Sequence, residues 1–232
     1  MMRYAIYFLP SRDTLLWRFG ASVLGYDAYT QENVPFPEHP LFGGQQPPAW
    51  VSQPQAYGFH ATLKAPFELA RSATEQELQE RACKFARRRR SFVVPALEVK
   101  VISRFVALLP AAPCTQLAEL GRDCVQCFEP LRAPIQPADR QRRQGSPLTA
   151  RQIANLELWG YPHVMEDFQF HMTLAGPLEP KELPNVRAVL EAQWAAVSGP
   201  MPVDAIAVVV QPARDARFRV VARYPFDPGR QA

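Results

Sequence analysis

The feature that most constrains this chain is a short motif that occurs once in each half of the sequence. The first copy lies in YGFHATLKAPF and the second in FQFHMTLAGPL. Each copy places an aromatic residue before a histidine and continues His-x-Thr-Leu, although the chain holds only 4 histidines. His60 and His171 are separated by close to half of the chain. This spacing predicts a fold built from two related units.

The segments around the motif also come in the same order in both halves. RYAIYFLP and SRFVALLP are typical of strands, and each runs into a helical pattern, SRDTLLWRFGASVLG and AAPCTQLAELGRDCV. Capped amphipathic helices follow each motif, and VDAIAVVVQP and RFRVVARYPF supply closing strands. The order predicts an α+β fold with internal duplication, in which two antiparallel sheets flanked by helices enclose a central cleft.

We expect one bilobal domain over residues 1–232, with lobe-forming halves of about 1–102 and 103–232. Loops of about 30–56 and 133–148 carry no readable motif, so the sequence does not name the substrate. The proline-rich segment from about Thr30 to Gln55 is longer than ordinary connections and runs directly into the first motif. It is predicted to be a surface loop that covers part of the cleft.

Composition narrows the class of protein. The chain is 47% hydrophobic and 21% charged with a net charge of +4, which predicts a soluble, cytoplasmic protein and permits an anionic ligand. No apolar run approaches the roughly 20 residues of a membrane span. The lone pair Cys124 and Cys127 lacks the further ligands that zinc requires, so we interpret it as one helix face. The run 87–90, RRRR, is interpreted as a solvated helix end rather than a nucleic-acid patch.

Strand alternation predicts which motif side chains face a cleft. Because side chains alternate along a strand, His60, Thr62 and Lys64 should share one face. His171 and Thr173 should share a face in the second copy. One such motif alone is more typical of a histidine satisfied within a sheet. Two copies in matching places favour a pair of imidazoles that face each other.

A pair of imidazoles suits the cleavage of a phosphodiester. One ring takes a proton from the attacking oxygen and the other gives a proton to the departing oxygen. An unperturbed histidine pKa near 6.5 makes both forms available around neutral pH. The hydroxyls of Thr62 and Thr173 can donate to the phosphate oxygens as charge builds on them. The sequence leaves open which histidine is the acid and which is the base.

The two motifs resemble those of the 2H phosphoesterases, a family of bilobal duplications of about this size. YGFHATLKAPF and WGYPHVMEDFQFHMTLAGPL look like the bacterial branch linked to phosphonate metabolism. The resemblance implies that His60 and His171 are the acid–base pair and that Thr62 and Thr173 bind phosphate. Members of the superfamily act on 2′,3′-cyclic nucleotides, RNA ends or cyclic ADP-ribose phosphates without a metal, so no cofactor is expected.

Several further side chains are candidates for the site. Lys64 follows the first motif where Ala175 follows the second, and its ammonium either adds charge to the phosphate pocket or reaches solvent. Three further residues are candidates for contacts to ribose or phosphate: Tyr57, Tyr161 and Arg223.

The two remaining histidines are given structural interpretations. His163 lies close to the second motif and is interpreted as a loop or core residue, and His39 as solvated.

The leading hypothesis is a metal-independent phosphodiesterase that opens a cyclic phosphate on a small nucleotide or ribose, with a place in phosphonate metabolism. Its partner would be a small phosphorylated substrate, with RNA ends as a second class and with no membrane and no DNA. The alternatives are an RNA-end-processing cyclic phosphodiesterase or ligase and a non-catalytic nucleotide- or RNA-binding module of the same fold. A metallohydrolase is disfavoured because no H-x-H or HExxH pairing occurs.

Overall fold

The computed structural model describes residues 2–43, 47–144 and 147–227. Within these ranges the strands pair antiparallel, apart from one isolated parallel bridge. They are β1 (Arg3–Phe8), β2 (Tyr26–Asp27), β3 (Glu32–Asn33), β4 (Ala61–Phe67), β5 (Phe92–Val94), β6 (Leu97–Ile102), β7 (Phe105–Pro110), β8 (Met172–Ala175), β9 (Met201–Val203), β10 (Ala205–Gln211) and β11 (Arg219–Pro225). Two main sheets result, one of order β11-β10-β1-β4 and one of order β6-β7-β8. The pairs β2-β3 and β5-β9 form two separate two-stranded sheets.

The helices of the described ranges lie between these strands and confirm the predicted α+β class. They are α1 (Leu15–Leu24), α2 (Ala49–Tyr57), α3 (Glu75–Ala86), α4 (Thr115–Phe128), α5 (Pro137–Arg143), α6 (Ala150–Trp159) and α7 (Leu183–Ala195). Short 3-10 turns occupy Glu129–Leu131 and Met165–Asp167. Within the part of the chain that the structure describes, no helix is both long enough and apolar enough to cross a bilayer.

The helix starts follow from capping residues that the sequence displays. Thr14 accepts a hydrogen bond from the backbone of Trp17 at the start of α1. Thr74 with Glu77 forms a complete capping box at α3, and Thr149 with Gln152 forms another at α6. These caps satisfy backbone N–H groups that have no partner within the helix, which fixes where each helix begins.

The two sheets do not coincide with the predicted halves of the sequence. β6, from the first half, pairs with β7, whereas β10 and β11, from the end of the chain, join β1. Every residue of β10 is buried, as expected for a central strand that has neighbours on both sides. The closing strands therefore return to the first sheet, and the two halves exchange strands near the middle and near the end of the described chain.

The proline-rich segment differs from the predicted loop because its last part is helical. α2 begins at Ala49 despite the absence of apolar periodicity, and residues 44–46 lie outside the described residues. The carbonyl of Trp50 accepts from the backbone N–H of Gly176 at 2.8 Å, just after the second motif, and the carbonyl of Ala56 accepts from Phe218 at 2.8 Å. These tertiary bonds hold the segment between the two sheets. The predicted loop of about 133–148 likewise contains α5, and its residues 145 and 146 are not described.

A pair of glycines shows the internal repeat at the level of packing. Gly20 in α1 and Gly121 in α4 each stand six residues after a threonine, in TLLWRFG and TQLAELG. A β-carbon on Gly20 would lie 2.2 Å from the ring of Phe59, and one on Gly121 would lie 2.7 Å from the ring of Phe168. Each helix thus receives an aromatic ring from the segment that leads into its own motif, which fixes the approach to the histidines.

We expect Gly20→Ala to destabilise the protein although alanine favours helices. The new methyl group must displace the fully buried ring of Phe59, and such overpacking costs about 1–3 kcal/mol. Thermal denaturation should show a Tm at least about 3 °C below that of the wild type. The matched control is Gly199→Ala, where nothing lies within 4 Å of the added carbon and Tm should not change. Equal Tm values for the two variants would show that the ring has room to move.

Candidate active site

Both motifs have the same backbone irregularity. On β4, Thr62 pairs with Tyr7 but Lys64 pairs with Ile6, so two residues advance against one and Leu63 forms a bulge. On β8, Thr173 pairs with Ala107 and Ala175 pairs with Val106, which places a bulge at the leucine of the second motif. The leucine of each His-x-Thr-Leu sequence therefore turns the strand at an equivalent place, and the repeat extends to backbone geometry.

The bulge corrects the predicted face of Lys64. Because neighbouring residues of β1 point to opposite faces, pairing with Ile6 sends Lys64 away from the face of Thr62 and Tyr7. Its side chain is only 3% exposed, and its ammonium donates to Glu129 at 2.8 Å and to the carbonyl of Val125 at 3.2 Å. The alternation prediction is wrong at this residue, and so is the alternative that the lysine reaches solvent.

Each motif histidine is oriented by a carbonyl two residues before it. Nδ1 of His60 lies 2.9 Å from the carbonyl oxygen of Gly58, and Nδ1 of His171 lies 2.8 Å from that of Gln169. A carbonyl accepts only, so Nδ1 carries the proton and Nε2 is the free basic nitrogen of the neutral ring. Nε2 of His60 lies 3.0 Å from the hydroxyl of Thr62, which donates to it. Both rings thus present Nε2 for chemistry.

Aromatic contacts hold the first motif against β1 and bring the second motif to the same strand. The ring of Tyr7 stacks on His60 with 3.8 Å between ring centroids. Phe170, which precedes His171, packs against Phe8 at 5.8 Å. The neighbouring β1 residues therefore contact one motif each, and β4 and β8 also contact each other directly. The two histidines belong to one region of the molecule, and both remain partly exposed.

The pKa values of both motif histidines are lowered. Burial lowers the pKa of His60 from 6.5 to about 4, the hydrogen bond to Gly58 opposes this shift, and repulsion from His171 adds to it. Burial also lowers the pKa of His171, with a further contribution from repulsion by His163. The repulsion of His60 by His171 indicates that the two motif rings interact electrostatically. Both rings are neutral at pH 7 without a ligand, and His60 keeps its basic form down to a pH of about 4.

Of the three further candidates from the sequence, two lie in the region of His60, and the third, Arg223, donates to a carboxylate. Tyr57, at the end of α2, stacks near His60 with 6.2 Å between centroids. Tyr161 lies close enough to Tyr57 for that phenol to raise its pKa, although burial is the larger cause. Arg223 is in register with Ala207, which pairs with Tyr7, but its guanidinium donates to Asp204 at 2.5 Å.

Of the two remaining histidines, His163 lies at the edge of this group, where it repels His171, and His39 lies outside it. His163 is an exposed loop residue whose ring meets Tyr161 edge-on at 5.6 Å. His39 is partly exposed and accepts a hydrogen bond from the backbone of Leu41 at 3.1 Å through Nδ1.

Four residues of this region were missed from the sequence: Arg3, Tyr7, Arg143 and Phe218. Phe218 packs against Tyr57 at 5.4 Å and against Tyr7 at 5.8 Å. The signal for Arg3 and Tyr7 was present in RYAIYF, where alternation places both on one face of a strand whose residues are all buried. No local pattern marks Arg143 or Phe218, because each reaches the region only through tertiary folding.

Comparison with known proteins places the chain in a family. Residues 62–219 match the family model described as "Protein of unknown function (DUF1045)", and the chain belongs to this family. The match includes the second motif and begins two residues after His60.

Two curated relatives carry the same name, "Ribose 1,5-bisphosphate phosphokinase PhnN". The protein of Janthinobacterium sp. (strain Marseille) is 32% identical over 97% of this chain and 51% of its own length. That of Laribacter hongkongensis (strain HLHK9) is 33% identical over 94% of this chain and 50% of its own length. The chain therefore spans about half the length of the curated relatives it matches.

Two solved structures are similar to this chain over nearly its whole length. E. coli LigT complexed with 3′-AMP aligns over 97% of this chain and 98% of its own, with 14% identity and a TM-score of 0.47. A structure described only as a phosphoesterase aligns over the same shares, with 12% identity and a TM-score of 0.42. At these identities the likeness concerns the fold and not the activity.

We expect a titration of the histidine rings by NMR to show a pKa of about 4 for His60 and a value below 6.5 for His171. His171→Ala should raise the pKa of His60, because the variant removes the charge that repels its protonated form. His39→Ala serves as the control and should leave the titration of His60 unchanged. An unchanged His60 titration in His171→Ala would show that the two imidazoles do not interact.

Proposed function

We propose that this protein is a metal-independent phosphodiesterase that hydrolyses a cyclic phosphate on a small nucleotide or ribose. The observation that carries the proposal is the pair of equivalent histidines, His60 and His171. Each has its Nδ1 fixed by a carbonyl, leaves its Nε2 available and interacts electrostatically with the other ring. This arrangement supplies two proton-transfer groups for one phosphate.

The pKa of about 4, which keeps the ring of His60 in its basic form at all higher pH values, assigns the base role to His60 in this proposal. Its Nε2 takes a proton from water while the water oxygen forms a bond to phosphorus. The bond between phosphorus and one ring oxygen breaks, and protonated His171 gives its proton to that oxygen. The negative charge of a bound phosphate raises the pKa of His171 and favours the protonated form that this step requires. The product is a phosphomonoester with a free hydroxyl.

The two threonines are proposed to stabilise the charge that develops on phosphate. Both hydroxyls are partly exposed and follow their histidines on the strand. The hydroxyl of Thr62 now donates to His60 and can donate instead to a non-bridging oxygen when phosphate is bound. Lys64 has no part in this proposal, because Glu129 neutralises its ammonium on the other side of the strand.

The curated relatives support a substrate that contains phosphorylated ribose. Their name refers to ribose 1,5-bisphosphate, and this chain aligns with about half of each protein. We infer that the chain acts on a ribose phosphate, with the place in phosphonate metabolism that the motif resemblance implies. The test is a screen of purified protein against cyclic phosphates of ribose and of nucleosides, including oligoribonucleotides that end in a cyclic phosphate, with EDTA present. Cleavage limited to the oligoribonucleotides would favour RNA-end processing, and loss of all activity in EDTA would favour a metallohydrolase.

On the substrate that this screen identifies, His60→Ala and His171→Ala should each lower kcat by at least about 10²-fold. The double variant should lose much less than the product of the single losses, because the two rings act in one step. Thr62→Ala and Thr173→Ala should each cost about 10-fold to 10³-fold through lost donation to phosphate. Thr115→Ala, at an exposed helix start, is the control and should retain full activity. Near-wild-type turnover in a folded His171→Ala variant would contradict the proposal.

The pH dependence should be acidic rather than centred on neutrality. kcat/KM reports the free protein, so it should rise with pH through the pKa of His60 at about 4 and fall as His171 loses its proton below pH 6.5. A bound phosphate raises both pKa values, so the maximum of kcat should lie at a higher pH than that of kcat/KM. Steady-state kinetics at a series of pH values measure both quantities. A maximum of kcat/KM above pH 7 would be inconsistent with these roles.

A further inference from the structure

Two arginines, Arg3 that is buried and Arg143 that is partly exposed, lie beside the candidate active site without a carboxylate hydrogen-bond partner among the described residues. Arg3 is 7% exposed, and its Nε donates to the amide oxygen of Gln211 at 2.9 Å. The guanidinium of Arg143 donates to the carbonyl oxygens of Gly160 and of Pro66, the latter at 2.7 Å. Both charges are therefore held by neutral acceptors. A charge that is removed from water is normally paired with an opposite charge, so Arg3, and to a smaller extent the partly buried Arg143, retains an unmet preference for an anion.

The surrounding charges leave this region positive. Burial lowers the pKa of Arg3, and repulsion from Arg214 and Arg142 lowers it further. Burial lowers the pKa of Arg143 as well, with further lowering from Arg142 and Arg3. The buried carboxylate of Asp139 acts against these charges, but it accepts hydrogen bonds from Arg142 and from Arg214. Glu68 lies 4.0 Å from Arg214, so two carboxylates face four guanidinium groups among the described residues.

A buried tyrosine hydroxyl points independently to a ligand. Tyr7 is 1% exposed, and its hydroxyl has no hydrogen-bond partner among the described residues. Leaving such a group unpaired costs free energy, and a ligand that accepts a hydrogen bond removes that cost. The charge of Arg3 and the phenols of Tyr57 and Tyr161 all act on the pKa of Tyr7, which burial raises. Phe218 contacts the ring of Tyr7, the ring of Tyr57 and the guanidinium of Arg3, so the unpaired hydroxyl belongs to the same group of side chains.

This group is continuous with the first motif histidine. The ring of Tyr7 stacks directly on His60, and Tyr57 stacks near the same imidazole. Phe218 packs against both tyrosines, and the guanidinium of Arg3 lies 5.8 Å from its ring centre. Arg143 lies 5.5 Å from the ring centre of Tyr161. Aromatic rings therefore separate the guanidinium groups of Arg3 and Arg143 from the imidazole of His60, the proposed base.

We propose that Arg3, Tyr7, Tyr57, Arg143 and Tyr161 form a binding site for a second phosphate of the substrate. We call these five residues the remote phosphate site. The inference rests on the proposed function, since it holds that the molecule cleaved at the histidines also carries a phosphomonoester at a distance from the reacting bond. Guanidinium groups and hydroxyl donors are the groups that bind phosphate monoanions and dianions in proteins. The substrate class is thus a cyclic phosphate that bears an additional terminal phosphate.

The kinetic test compares adenosine 2′,3′-cyclic phosphate with the same compound phosphorylated at its 5′ hydroxyl. The wild type should prefer the phosphorylated compound by about 10²-fold in kcat/KM, mainly through a lower KM, because charge-assisted hydrogen bonds act on binding. In Arg143→Gln and in Tyr7→Phe this ratio should fall at least about 5-fold. Arg187→Gln and Tyr224→Phe make the same chemical changes at other places, and the ratio in these controls should equal that of the wild type.

Tyr7→Phe keeps the test valid if Arg143→Gln does not fold. It retains the ring that stacks on His60 and removes only a hydroxyl without a partner, so Tm should be equal to or above that of the wild type. A lowered preference for the 5′-phosphorylated compound together with an undiminished Tm supports the remote phosphate site. A preference equal to that of the wild type overturns the role of Tyr7.

Calorimetry separates this inference from the proposed function. Ribose 5-phosphate should bind the wild type with a Kd below about 1 mM, ribose should not bind detectably, and Arg143→Gln should weaken the binding of ribose 5-phosphate at least about 10-fold. If neither cyclic phosphate is cleaved, the proposed function fails, and this binding measurement alone decides the remote phosphate site. Equal cleavage of the two cyclic phosphates with no binding of ribose 5-phosphate would overturn the site while the proposed function stands.

Discussion

The hydrogen bond from each motif histidine to a carbonyl two residues earlier is the interaction on which the candidate site depends. It fixes the proton on Nδ1 and leaves Nε2 of His60 and of His171 as the nitrogen that meets a substrate. The same local geometry occurs twice because each motif histidine stands directly before a strand that has a bulge at the leucine of the motif. The glycines of α1 and α4 then leave room for an aromatic ring from the segment that leads into each motif. The histidine hydrogen bond, the strand bulge and the packing of the helix glycine are therefore all repeated in the two halves of the chain.

Burial of charge is the second constraint on this region. Lys64 and Arg3 are both buried in the first sheet, but their surroundings differ. The ammonium of Lys64 has the carboxylate of Glu129 at 2.8 Å, which makes it a neutral pair within the structure. Among the described residues, Arg3 donates to the amide of Gln211 without a carboxylate partner and is repelled by other arginines. The positive charge that no carboxylate balances thus lies near Tyr7. It does not lie at Lys64, the extra lysine that follows the first motif.

Much of the fold could be predicted because its signals are local. Capping residues such as Thr14 and Thr74 marked helix starts, and apolar runs such as that of β10 marked strands. The helix α2 could not be predicted in this way, since its stability comes from packing and from backbone bonds to Gly176 and to Phe218 across the fold. The pairing of β6 with β7 and the return of β10 and β11 to the sheet of β1 were also missed. Strand pairing depends on contacts between residues that are distant in sequence.

The sequence by itself determined the tandem His-x-Thr-Leu motif, the α+β class and the candidate pair His60 and His171. These conclusions need only residue identity, spacing and the alternation of a strand. Tertiary structure alone decided that Lys64 turns away, because a bulge changes the alternation by one residue. It also decided that Arg3, Arg143 and three tyrosines converge, since these side chains come from segments far apart in the chain. Electrostatic surroundings are a property of spatial neighbours, and a linear pattern does not contain them.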